Sequence, residues 1–176
     1  MQFKSVDHAL SWSFQVSSCP IVKMSSINSM RGSEGFGGMT PHDMHAQAAL
    51  VISMADRLLD AHEMAWVIAK FGHGLDRSDG GEDQRRLIED RLTMAVLASL
   101  PTGMHSRRGY SKLILCYFGH SIGQQSIRKD LKCSMDGIPP YRKQVYDTLD
   151  LIWDRAMAKL TYGMLEHGLI ADDENS

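Results

Sequence analysis

The chain of 176 residues has few cysteines and few aromatic side chains. Its three cysteines, Cys19, Cys116 and Cys133, are odd in number and far apart. This spacing excludes both a disulfide framework and a Cys-x-x-Cys zinc site, and it suits a reducing cytosol. Aromatic residues make up only 7% of the chain, but hydrophobic residues reach 43%. That content suffices for one sizeable core, or for two small helical subdomains, without a covalent staple.

The chain also lacks a long apolar run and a strong net charge. No stretch approaches the roughly eighteen consecutive apolar residues that span a bilayer, and no basic segment followed by an apolar core opens the chain. We therefore expect a soluble, cytoplasmic protein with no membrane partner. The formal net charge is −2. This balance argues against blanket binding to nucleic acid, so any DNA affinity must come from a local face.

The abundant side chains are those that favour helices, namely Leu, Met, Ala and Ile, which predicts an all-α protein. We predict a helical bundle with a C-terminal helix-turn-helix. Near the N-terminus, Trp12, Phe14 and Val16 alternate with polar residues, which favours a strand, although a Pro-interrupted helix also fits. The predicted organisation is an N-terminal segment with a flexible Ser/Gly loop (1–38), a helical support subdomain (39–104), a helix-turn-helix subdomain (105–170) and a disordered acidic tail (171–176).

Two capping signals predict helices in the middle of the chain. Thr40 offers a hydroxyl cap, Pro41 fits the first helical position and Asp43 follows three residues after the cap. Asp60 and Glu63 repeat this arrangement and predict a second helix that ends at Gly72. A third helix is predicted over 82–100, with an inward stripe of Leu87, Ile88, Leu92, Ala95, Val96 and Leu100.

The stretch 106–158 has the clearest periodicity. Ser106 caps a predicted helix that Gly119 ends, and a second helix is predicted over 121–132, with Ile122, Ser126, Ile127 and Leu131 inward. A third helix must begin at the two prolines at 139–140, because a missing N–H is tolerated in the first turn. Its predicted apolar stripe consists of Val145, Leu149, Ile152, Trp153, Ala156 and Leu160.

Positive charge is concentrated in this same stretch. Between His105 and Lys143 there are eight Lys or Arg side chains against two Asp, so the other segments sum to −8. This is the footprint expected of a phosphate-binding face. Because the start of a recognition helix reaches base edges, we expect Arg142, Lys143 and Gln144 to contact bases or the groove. The residues expected near DNA phosphates are Gln124, Gln125, Arg128, Lys129, Lys132 and Ser134, together with Arg107 and Arg108.

A stretch of about twenty-five residues contains Leu113-Ile114-Leu115, Tyr117, Ser121-Ile122, Ile127, Lys129 and Lys132-Cys133-Ser134. Through these residues it resembles a known family, the short Q-type late-gene antiterminators of lambdoid phages. Their C-terminal part is similar to the helix-turn-helix of sigma factor region four. The resemblance implies a phage or prophage transcription regulator that binds double-stranded DNA and acts on bacterial RNA polymerase.

Two other functions compete with DNA binding. Three amphipathic helices are typical of any small α-domain, and the long stripe of the third helix also fits the oligomer face of a protein-interaction module. A metal-dependent enzyme would need His and carboxylate ligands, for which His42, Asp43, His45, His62 and Glu63 are the candidates. Because the acids among them have capping roles, we expect no metal, no cofactor and no enzymatic activity.

Overall fold

The computed structural model describes residues 2–18, 39–72, 81–100 and 106–171, and this part of the chain is all-α. A short 3-10 turn, Met135–Gly137, precedes the last helix. None of the helices within these ranges combines the length and the apolar character that crossing a bilayer requires. The helices are α1 (Val6–Ser17), α2 (Pro41–Leu58), α3 (Ala61–Phe71), α4 (Gly81–Ser99), α5 (Arg107–Tyr117), α6 (Gln124–Leu131) and α7 (Ile138–Glu166).

The predicted capping boxes are confirmed at the starts of α2 and α3. The Asp43 backbone N–H donates to Thr40 Oγ1 at 3.2 Å, and Asp43 Oδ2 accepts from the Thr40 N–H at 3.0 Å. Asp60 and Glu63 form the same reciprocal pair, and Gly72 caps the end of α3. Hydrogen bonds from Thr40 lower the pKa of the Asp43 carboxyl. These caps satisfy N–H groups that a helix start leaves without partners.

The N-terminal passage is a helix, and the strand favoured by its alternation is wrong. Ser5 caps α1 by accepting a hydrogen bond from the His8 N–H at 3.2 Å. The alternating aromatic residues lie within a longer pattern at steps of three and four, which buries most of the helix against its neighbours. The buried residues of α1 are Val6, Ala9, Leu10, Trp12, Ser13, Phe14 and Val16. The predicted Ser/Gly loop and all but the first residue of the predicted acidic tail lie outside the described residues.

The chain forms two compact units. The first consists of Met1–Leu59 and Met157–Ser176, and the second of Asp60–Ala156. The predicted domain limit at 104/105 falls inside the second unit. In the first unit α1 packs on α2, and Phe3 forms an isolated parallel bridge with Ile170, in which the Phe3 N–H donates to the Leu169 carbonyl at 2.6 Å.

In the second unit, α3 packs against α4, α4 against α5, and α5 against α6. Trp66 of α3 and Trp153 of α7 stack with ring centroids 4.3 Å apart. The predicted apolar stripe of α7 is buried within the chain, apart from half-buried Trp153, so it is core rather than an oligomer face. The predicted inward position of Leu87 is wrong, since its side chain is 51% exposed on the first turns of α4, where all residues from Glu82 to Leu87 face outward.

Candidate nucleic-acid interface

Helices α5 and α6 approach each other closely at Gly109. The predicted cap and stop of α5 are confirmed: Ser106 Oγ accepts from the Gly109 N–H at 3.3 Å, and Gly119 has a φ of 91°. A β-carbon on Gly109 would clash with the Leu131 side chain and lie 3.2 Å from the Leu131 backbone nitrogen. Only glycine fits at this crossing. Ile127 of α6 is fully buried in the same core.

A tight turn leads from α6 to α7. Helix α6 starts at Gln124, three residues later than predicted, and ends at Leu131. Its C-cap, Lys132, has a φ of 52°, which lies in the left-handed region. Ser134 then precedes the 3-10 turn, and α7 begins with buried Ile138. The two prolines at 139–140 occupy the first turn of α7, as predicted, and both are exposed.

The predicted phosphate contacts on α6 and its turn face outward. All six side chains are exposed, and none of their cations forms an ion pair within the described residues. They surround an inward face formed by Ile127 and half-buried Leu131. The six are Gln124, Gln125, Arg128, Lys129, Lys132 and Ser134.

The three residues predicted to contact bases differ in exposure. Lys143 and Gln144 are exposed on the second turn of α7. Arg142 is half-buried, and its Nε is enclosed without a hydrogen-bond acceptor in the described part of the chain. Asp147 is exposed one turn after Lys143. On the face of α7 that carries Lys143, positive charge is therefore confined to the start of the helix.

The two arginines at the start of α5 also differ. Arg107 pairs with Asp90 of α4 at 2.8 Å, and both side chains remain more than half exposed. Arg108 is exposed and forms no ion pair among the described residues. It is therefore the freer of the two to meet a ligand.

A polar network between α5 and α6 was not predicted from the sequence. Lys112 forms an ion pair with Asp130 and donates to Ser126 Oγ at 2.6 Å. The hydrogen bond from Lys112 is the main cause of the lowered pKa of the Asp130 carboxyl. Ser111 donates to a Glu89 carboxylate oxygen. Ser126, predicted to face inward, is exposed, because it lies roughly 100° around α6 from buried Ile127, and its hydroxyl meets Lys112 instead.

A hydrogen bond links α5 to α7 on the other side of the core. The Tyr117 hydroxyl donates to Asp150 Oδ1 at 2.6 Å. Burial, and then this bond, raise the pKa of the Tyr117 hydroxyl far above its ordinary value. The ring of Tyr117 packs edge-to-face on Tyr146 of α7, with centroids 5.1 Å apart. These contacts fix the rotation of α7 about its axis, and hence the direction in which Lys143 and Gln144 point.

The His and carboxylate candidates for a metal site all lie within the described residues. Asp43 and Glu63 act as capping residues, as predicted. His42 and His45 belong to the first compact unit, whereas His62 belongs to the second. Among the described residues, no three His, Cys, Asp or Glu side chains lie close enough together to hold a metal ion.

Comparison with known proteins gives no relative from which a function could be transferred: no protein-family model matches the chain, and no curated protein matches it.

Proposed function

We propose that this chain binds double-stranded DNA through a helix-turn-helix formed by α6 and α7, and that it regulates transcription. The observation that carries the proposal is a group of exposed cations around the turn between these helices, with no ion pairs among the described residues. Exposed cations that form no ion pair in the described part of the chain are available to neutralise DNA phosphates. They are Arg108, Arg128, Lys129, Lys132 and Lys143.

The start of α7 suits a recognition helix. Lys143 and Gln144 are exposed there, and both side chains carry donors that can reach base edges in a major groove. Asp147 follows one turn later and would repel phosphates, so contact with DNA is confined to the first two turns of α7. Arg142 is half-buried, and we assign it to supporting the helix start rather than to reading a base.

The finer function rests on the resemblance to Q-type antiterminators. Lys132-Cys133-Ser134 forms the turn at which α6 ends, and Leu113-Ile114-Leu115 lies on α5. These are the segments in which the resemblance is carried. We therefore propose bacterial RNA polymerase as the partner and antitermination as the mode of regulation, in a phage or prophage setting.

The test is fluorescence anisotropy of the full chain with a random-sequence duplex and a selected binding site, over a series of salt concentrations. We expect binding to weaken steeply as salt rises. Lys143→Ala with Gln144→Ala should reduce the preference for the selected site by about tenfold to a hundredfold, because base contacts provide discrimination. Arg128→Ala should weaken binding to both duplexes equally.

The matched control is Arg155→Ala, which removes an exposed cation farther along α7. It should leave both affinities unchanged. Absence of salt-dependent binding by the full chain would refute the DNA proposal, and equal loss of preference in all variants would refute the assignment of roles.

One observation supports a second candidate, a protein-interaction module. Leu87 and Met94 lie seven residues apart on one face of α4, and their side chains are 51% and 53% exposed. Contiguous exposed apolar patches mark protein contacts, and we propose that these two side chains contribute to one. Sedimentation of the chain without DNA separates self-association from a monomer, because self-association makes the mass depend on concentration.

A further inference from the structure

An open groove lies between α5 and α6, with Glu89 of α4 at one side. Its volume is about 610 Å³, which is within the range of small-molecule sites. Leu115 and Ile122 provide apolar surface in the groove. None of the residues expected to read bases lines it. The polar lining residues are Glu89, Arg108, Ser111, Lys112, Ser126, Lys129 and Asp130.

Some charged side chains of this groove have close partners within it, and others do not. Asp130 pairs with Lys112, and Glu89 accepts a hydrogen bond from Ser111. The two remaining cations, Arg108 and Lys129, form no ion pair among the described residues. The Lys112 hydrogen bond is the main cause of the lowered pKa of the Asp130 carboxyl, and the charges of Arg108 and Lys129 lower that pKa further. The groove contains three cations and two carboxylates, so its net charge is positive.

We infer that the α5–α6 groove binds a phosphate group between Arg108 and Lys129. A guanidinium and an ammonium facing the same space offer charge-assisted hydrogen bonds to phosphate oxygens. The Ser126 hydroxyl, held by Lys112 at 2.6 Å, keeps a rotatable O–H that can donate to the same anion. The phosphate belongs either to a DNA backbone or to a small phosphorylated molecule, and the groove chemistry is the same for both. The DNA source rests on the proposed function, which assigns Arg108 and Lys129 to DNA phosphates, whereas binding of a small phosphorylated molecule does not.

The first test uses inorganic phosphate as the probe and the full chain as the protein. Nuclear magnetic resonance titration follows the backbone amide groups of Ser111 and Ser126. We expect saturable shifts in both, and Arg108→Gln with Lys129→Gln should weaken binding by about tenfold or more, since two charge-assisted contacts are lost. The control, Arg85→Gln with Arg91→Gln, removes the same charge from exposed positions of α4 and should change the affinity less than twofold.

A further variant is expected to bind phosphate more tightly rather than more weakly. Asp130→Asn removes one negative charge from the groove and frees the Lys112 ammonium, so phosphate should bind several times more tightly. The lost ion pair is partly exposed, and the fold should survive. Circular dichroism of each variant checks this. Equal weakening in the control, shifts without saturation, or weaker binding by Asp130→Asn would each overturn the inference.

The source of the phosphate is identified with two further probes. If a DNA backbone supplies the phosphate, Arg108→Gln with Lys129→Gln makes duplex binding less dependent on salt, by the equivalent of about two phosphate contacts. A nucleoside monophosphate then binds no more tightly than inorganic phosphate. If a small molecule supplies it, the nucleoside monophosphate binds more tightly and duplex binding is unaltered. Phosphate binding without any duplex binding would refute the proposed function and leave this inference standing.

Discussion

Lys132 holds its backbone in the left-handed region, with a φ of 52°, where a residue with a β-carbon is disfavoured by about 1–2 kcal/mol. Glycine removes that strain but gains freedom in the unfolded chain. We expect Lys132→Gly to stabilise the protein by about 0.5–1 kcal/mol, measured as a higher urea midpoint with an unchanged slope. The same variant should bind DNA more weakly, because it loses an exposed cation.

Lys132→Asn separates these two effects. Asparagine tolerates the left-handed region better than lysine does and carries no charge. It should weaken DNA binding as much as glycine does, with a smaller gain in stability. A loss of stability in both variants would show that the lysine side chain supports the turn.

Gly109 is the second residue on which the interface depends. We expect Gly109→Ala to destabilise the protein by about 1–3 kcal/mol, because the new methyl group would overlap Leu131 of α6. Leu131→Ala alone should also destabilise. In urea unfolding, the double variant should lose less free energy of unfolding than the two single variants lose together, since alanine in place of Leu131 makes room for the methyl group. Strict additivity would contradict the close crossing of α5 and α6.

At the scale of elements, the bond between Tyr117 and Asp150 ties α5 to α7. The pKa of the Tyr117 hydroxyl is raised above its ordinary value of 10.0, chiefly by burial. The folded state therefore favours the protonated hydroxyl, and this contribution to stability is complete below about pH 10. It is lost as the pH rises from there towards the folded pKa. We expect the free energy of unfolding to fall with increasing alkalinity, and Tyr117→Phe to reduce that fall.

Urea unfolding on both sides of about pH 10, combined with tyrosinate absorbance, measures this difference. Tyr162 provides a control, because its side chain is 72% exposed. Tyr162→Phe should leave the pH dependence unchanged. An identical slope in wild type and Tyr117→Phe would show that this hydroxyl does not carry the effect.

Element boundaries were predictable where local chemistry sets them. The caps at Thr40, Asp60 and Ser106 act within four residues, so their side chains alone predicted the starts of α2, α3 and α5 correctly. The stripe of α7 was predictable for a similar reason, because a long helix beside a core must bury one face. Leu87 was misassigned because its periodicity continues into a turn of α4 that is exposed to solvent.

Less of the candidate site than of the fold could be predicted from the sequence. Exposure of Lys143 and Gln144 follows from helix periodicity. The contact of Lys112 with Ser126 and Asp130, and the enclosure of Arg142 Nε, depend on how neighbouring helices pack. Such contacts join residues that no local spacing connects, so the groove between α5 and α6 was not predicted.

At the scale of the whole molecule, α7 belongs to both compact units, with 138–156 in the second and 157–166 in the first. Unfolding either unit removes tertiary partners from the same continuous helix. We expect a single transition in urea. In Trp12→Phe, tryptophan fluorescence reports only Trp66 and Trp153 of the second unit, whereas circular dichroism reports all helices. The two midpoints should coincide.

Ala156 lies at the junction, where it is fully buried. Ala156→Gly weakens the helix by about 0.5–1 kcal/mol and should lower both midpoints together. Two separate transitions in either protein would show that the units unfold independently despite the helix they share.

The first compact unit, in which Phe3 pairs with Ile170, is assembled from two segments that are far apart in the chain. The first unit takes its segments from both sides of 60–156, whereas the second is continuous. During synthesis, α1 and α2 leave the ribosome before the second unit, and the segment that completes their unit leaves after it. We therefore expect the second unit to fold before the first during synthesis. Until Met157 and the residues after it leave the exit tunnel, we expect α1 and α2 to present uncovered apolar side chains to which chaperones bind.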